Sequence, residues 1–161
     1  MKRVARRLAF MMMVTLLVTT VTDHVKAENV GPFTSTLTNT EGERIGIAYF
    51  EPDDEGVRVH FSVSGLEPNR IYEFNFHEHA TCEAPLFTSA GDVFNPTGKQ
   101  QNVAGELPSI RTDSNGRYSD SLVAEHASLD TMDLTNPALE EGSSLVLQAE
   151  GERIACGVVQ Y

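Results

Sequence analysis

His77-Glu78-His79 sets two imidazoles two residues apart, and on a β-strand residues i and i+2 point to the same face. Asn75 falls on that face as well. Imidazole nitrogen is a good ligand for copper and zinc, but a working site needs three or four convergent donors with a supporting shell. The other histidines are scattered: His60 in an alternating segment at an outward position, His126 in a long loop, and His24 near the N-terminus. The plain expectation is solvent-exposed imidazoles at a strand end. The alternative is a surface copper site on His77 and His79, with His126 a late recruit. Two cysteines, Cys82 and Cys156, complete the reactive set. No serine sits in a G-x-S-x-G elbow, and no glycine motif would cradle a phosphate.

The first 27 residues carry the marks of a leader. Lys2, Arg3, Arg6 and Arg7 form a basic start, Leu8 to Val21 is an apolar run interrupted only by threonines, and Val25-Lys26-Ala27 offers small residues at a cleavage position. The run is short for a bilayer span, which needs roughly 20 residues, and its flanks are those of a signal peptide. Cleavage is expected after Ala27, leaving residues 28–161 as one domain exported to the cell envelope or beyond. An uncleaved anchor is the alternative. The formal charge of the whole chain is −11; without residues 1–27, seven Lys/Arg face 22 Asp/Glu, a formal charge of −15. Such a chain is a poor partner for nucleic acid or an anionic membrane. An even cysteine count in an exported chain reads as one disulfide; the rival, a thiolate metal site, lacks a nearby second Cys or His.

The elements that must position these residues are strands. After residue 32 the hydrophobic pattern has period 2 rather than 3.6. Val57, Val59, Phe61 and Val63 share one face, as do Tyr72, Phe74 and Phe76. Eight strands are predicted: 33–39, 44–50, 57–63, 70–77, 107–112, 117–124, 144–149 and 153–160. They are separated by turns such as Asp53-Asp-Glu-Gly56 and Asp113-Ser-Asn-Gly116, and by long loops over 78–105 and 125–142. That pattern predicts an all-β antiparallel barrel or sandwich.

Several segments together resemble the copper/zinc superoxide dismutase family. Val57–Leu66 is similar to its third strand and the Gly-Leu after it. Phe74-Asn-Phe-His77-Glu stands at its F-H-[IV]-H-E. Ser89-Ala-Gly-Asp-Val-Phe-Asn-Pro96 stands at its S-A-G-G-H-F-N-P, and Gly151-Glu-Arg-Ile-Ala-Cys156-Gly at its G-x-R-[LI]-A-C-G. The resemblance covers the mature chain and implies an eight-stranded Greek-key barrel with a Cys82–Cys156 disulfide. It also implies where the metal ligands belong, and most have gone. Of the four copper positions, Asn75, Val93 and Gln148 replace histidines and only His77 remains. At the zinc positions stand Gln101 and Val103, with Glu106 for the aspartate. Arg153 keeps the place of the family's anion-guiding arginine. The loop that should precede it is reduced to Ala149-Glu-Gly-Glu152, which removes a steering device.

The expectation is therefore an exported, superoxide dismutase-like barrel without copper/zinc-dependent dismutase activity, holding no zinc and no resident copper, and retained for a structural or binding role. Two alternatives stand beside it. One is an active extracellular dismutase using a remodelled copper site on His77, His79 and His126; the other is an extracellular copper-binding module. Oligomeric state has no signature in the sequence.

Overall fold

The computed structural model describes residues 33–133, 135–138 and 142–160; the leader expected over residues 1–27 lies outside them. The described residues form eight strands: β1 (Phe33–Asn39), β2 (Arg44–Asp53), β3 (Gly56–Val63), β4 (Ile71–His77), β5 (Ile110–Arg111), β6 (Tyr118–Ala124), β7 (Ser144–Ala149) and β8 (Glu152–Gln160). They join edge to edge in the order β5-β4-β7-β8-β1-β2-β3-β6, antiparallel at every pairing. The chain leaves β6 to place β7 between β4 and β8, which is the Greek-key crossover. The result is a nearly closed all-β barrel, as the alternation predicts.

The apolar phase of each strand fills the interior. Phe50, Val57, Val59, Phe61, Tyr72, Phe74, Phe76, Leu145 and Leu147 are all buried. Phe61 of β3 and Phe74 of β4 stack across the barrel with centroids 4.2 Å apart, and Phe50 meets Phe76 at 5.5 Å. Such pairs add about 0.5–1.5 kcal/mol to the stabilisation from burial alone. The turns rest on short polar side chains. Asp113 Oδ1 accepts the amide protons of Asn115 and Arg117, and those bonds hold its carboxyl below the usual range. Asp53 Oδ1 accepts from Glu55 in the β2–β3 hairpin.

Two strands differ from the predicted ones by more than one residue at an end. Strand β2 continues past Phe50 to Asp53, because the hairpin closes only at Asp53–Gly56. The strand predicted over 107–112 shrinks to the pair Ile110–Arg111. Pro108 has no N–H to offer a ladder, and the Leu107 N–H goes instead to the Asn75 side chain. Beyond β5 the edge of β4 is covered by loop backbone. Phe76 donates to the Gly105 carbonyl and accepts from Phe94, while Gly105 donates to Phe94. A Cβ on residue 105 would stand 2.7–2.8 Å from three of those backbone atoms, so only glycine fits there.

The Cys82–Cys156 disulfide forms, linking residues 74 positions apart. Its sulfurs lie in a second apolar cluster of Phe87, Ala90, Val146 and Cys156, on the outer side of β7 and β8. Closing a loop of that length constrains the unfolded chain by about 4 kcal/mol. Substituting Cys82→Ser or Cys156→Ala is expected to lower the melting temperature by roughly 10 °C or more, measured by circular dichroism. An unchanged melting temperature would show that the bridge carries no stability.

Candidate functional site

The histidine that the resemblance puts at a copper position, His77, is not the exposed imidazole that the sequence suggests. His77 is 1% exposed. It ends β4, on the strand phase that faces away from the barrel core, and the disulfide loop folds down over it. The loop is pinned to β4 by hydrogen bonds from Glu78 N to Asp92 O and from His79 N to Ala90 O. The expectation of one solvent-facing row of Asn75, His77 and His79 is thus corrected: His79, beyond the strand, is exposed, Asn75 is half-buried, and His77 is sealed. The cover comes from residues 10 to 15 positions further along, which no local pattern in β4 reveals.

His77 Nδ1 lies 3.0 Å from the Gly91 carbonyl. A carbonyl can only accept, so Nδ1 carries the ring proton and Nε2 presents its lone pair. The Gln148 side-chain nitrogen lies 3.4 Å from Nε2, and a neutral ring in this tautomer favours the amide's N–H over its oxygen at that point. Gln148 pairs with Glu73 rather than His77 in the ladder, so the two side chains lean along their strands to meet. Burial pushes the His77 pKa below its usual value; the Gly91 hydrogen bond opposes this, the Arg153 charge adds to it, and Asp92 and Glu78 act against it.

Arg153 is the second residue of β8 and is half-buried. One terminal nitrogen donates to the Phe87 carbonyl and the other to the Gly91 carbonyl at 2.6 Å. The Gly91 oxygen therefore serves both His77 and Arg153. Phe87, fully buried, adopts φ +53°, a conformation that costs a bulky L-residue about 1–2 kcal/mol and that directs its carbonyl at the guanidinium. Sequence reading missed this residue; nothing in its type signals a left-handed backbone. Of the two glutamates that precede Arg153 in the chain, Glu150 pairs with Arg70 at 3.4 Å and Glu152 is exposed.

Four of the positions that the resemblance assigns to metal ligands do converge. Asn75, Val93, Val103 and Glu106 line one open depression of about 570 Å³, together with Glu73, Asp92 and Asn95. Val93 bridges to His77 and Glu106 to Asn75, so the scaffold still draws these segments together. Gln101 and His79 are exposed and His126 is half-buried, and all three lie outside the depression. Among the described residues, no three His, Cys, Asp or Glu side chains form a group able to hold a metal ion. His77, His79 and His126 therefore do not assemble into one. Val93 and Val103 offer no donor atom, the Asn75 oxygen accepts from Leu107, and the His77 lone pair faces an amide. This set does not fit the copper or the zinc of the family that the sequence resembles.

Residues 44–159 match the copper/zinc superoxide dismutase family. Among curated relatives, superoxide dismutase [Cu-Zn] 2 of Aquifex aeolicus is 33% identical over 77% of this chain and 84% of its own. The superoxide dismutase-like protein YojM of Bacillus subtilis is 31% identical over 76% and 73%. A crystal structure of a SOD-like protein from Bacillus subtilis superposes with a TM-score of 0.74 at 29% identity, covering 79% of this chain and 97% of that one.

The burial of His77 has a consequence for pH. Its folded-state pKa lies below the unfolded value near 6.5, so between the two the unfolded chain binds the additional proton. The stability associated with a neutral His77 is complete above about pH 6.5 and declines as the pH falls through the unfolded value toward the folded one. Urea melts between pH 7.5 and 5 should show this decline, and His77→Gln should flatten it. An identical slope in the variant would place the titration elsewhere.

Proposed function

The chain belongs to the copper/zinc superoxide dismutase family, and within it we propose an exported, dismutase-like barrel that has lost copper/zinc-dependent catalysis and is kept for a structural or binding role. The single observation carrying this reading is the state of His77. Dismutation in this family needs a metal that alternates between two oxidation states within a rigid set of imidazoles. Here one imidazole remains, buried, with its free lone pair directed at the Gln148 amide. The two valines at ligand positions cannot coordinate anything.

Arg153 supports the same reading. Its guanidinium is committed to two loop carbonyls, so it acts as a clamp between β8 and the disulfide loop. Export is supported by the leader-like residues 1–27 and by the disulfide, which persists in oxidising compartments. On this reading residues 28–161 are the mature domain, and it carries no resident copper or zinc. The relative named superoxide dismutase-like in Bacillus subtilis is consistent with a branch of the family that is read as dismutase-like.

The test is to load the oxidised mature protein with copper and zinc, remove the excess, and measure bound metal alongside superoxide decay. The expected result is substoichiometric metal and decay at the uncatalysed rate. One tightly held copper per chain with rapid dismutation would overturn the reading.

A further inference from the structure

Strand β6 stands at one end of the strand order, with β3 on one side and no strand on the other among the described residues. Which of its backbone groups face that open side follows from three bonds. Asp113 N donates to the Arg117 carbonyl, Arg117 N to Asp113 Oδ1, and Ser121 N to Asp120 Oδ1. Antiparallel ladders alternate, so Arg117, Ser119, Ser121 and Val123 turn their N–H and C=O groups away from β3. Tyr118, Asp120, Leu122 and Ala124 turn theirs toward it. The count on β3 agrees: Ser64 donates toward β2, to the Ile45 carbonyl, which leaves Val57, Val59, Phe61 and Val63 for β6.

An open strand edge is a template for another strand, and proteins guard such edges with covering loops or inward-pointing charges. At the start of β6 the Asp113 turn covers Arg117. Between Ser119 and Val123 the guard is Asp120, which stands opposite the inward Phe61 in the ladder, is exposed, and takes the Ser121 N–H on its Oδ1. Ser119 is exposed too, and Ser121 and Val123 are half-buried.

The edge matches a second copy of itself. Two β6 strands related by a two-fold axis through Ser121 pair Ser119 with Val123 and Ser121 with Ser121, so each edge-directed residue of the strand meets another. The same axis sets Arg117 of each copy opposite Glu125 of the other, unlike charges in register; both side chains are exposed. Asp120 then faces Leu122. Neighbouring axes match less well. An axis through Asp120 sets two carboxylates face to face and brings Val123 to Arg117, whose backbone groups the Asp113 turn already holds. An axis through Leu122 brings Ser119 to Glu125, past the end of the strand, and Arg117 to Ala127.

We propose that β6 is a strand-addition edge for a second copy of this chain, joined antiparallel about Ser121 with Arg117 and Glu125 paired across the axis. The β1-β2-β3-β6 halves of the two copies then run on as one sheet. The acidic charge of each copy opposes association, and Asp120 must release the Ser121 N–H, so the dimer is weak and reversible. This association goes beyond the proposed loss of catalysis and is tested apart from it.

The experiment is analytical ultracentrifugation of the mature, disulfide-bonded protein. The expected result is a monomer–dimer equilibrium with a Kd of about 100 µM. Ser121→Pro removes an N–H that no bond to β3 uses, the one setting in which a strand tolerates proline, and should abolish the dimer. Arg117→Glu and Glu125→Arg should each weaken it about tenfold. The two reversals together should restore it, which two merely damaged folds would not do. A monomer across concentrations bracketing that Kd, a dimer that survives Ser121→Pro, or a double reversal that stays as weak as the single ones would each overturn the proposal.

Discussion

The disulfide loop is held to the barrel by a covalent bond at one point and a guanidinium at another, and the rest of the candidate site depends on that double attachment. Cys82–Cys156 ties the loop's start to the middle of β8. Arg153, three residues earlier on β8, holds the carbonyls of Phe87 and Gly91. A half-buried cation is tolerable there because hydrogen bonds to oxygen replace those it would make to water. With the loop fixed, Gly91 offers its carbonyl to His77, Phe87 fills the apolar cluster over β7 and β8, and the imidazole is shut away from solvent.

On the proposed reading, that arrangement explains how ligand loss leaves the fold intact. The aromatic core of Phe50, Phe61, Phe74 and Phe76 lies on the inner strand phase, whereas every position that the resemblance gives to a metal ligand lies on the outer phase or in the loops. Substitution there need not create a cavity in the core. Gln148 gives the His77 lone pair a donor, Asn75 caps the Leu107 amide, and Glu106 accepts from the Val103 amide. These three side chains make hydrogen bonds where they stand, so the barrel has no need of a metal to satisfy them.

The barrel was legible in the sequence because its signals are local. Period-2 alternation marks the strands, and Asp113-Ser-Asn-Gly116 states its own turn through the Asp113 side chain. The short β5 was less legible: Pro108 was visible, but the capture of Leu107 by Asn75 joins residues 32 positions apart. The candidate site was legible as a set of residue types, and the resemblance placed Asn75, Val93 and Gln148 where ligands belong. What could not be read was the environment of His77. Its burial, and the roles of Gly91 and Phe87, rest on backbone carbonyls delivered by a distant loop, and a carbonyl is the same in every residue type.

The central claim is that the barrel still holds the ligand-bearing positions in place and that only the side chains have changed. The most direct measurement is copper titration of the Asn75→His, Val93→His, Gln148→His triple variant beside the unmodified protein, read by visible absorption and by nitrogen hyperfine structure in the electron paramagnetic resonance spectrum. The account expects one copper per chain in a multi-imidazole environment in the variant, and no such species in the parent. A folded variant that binds copper no better than the parent would contradict it, because the positions would then no longer converge.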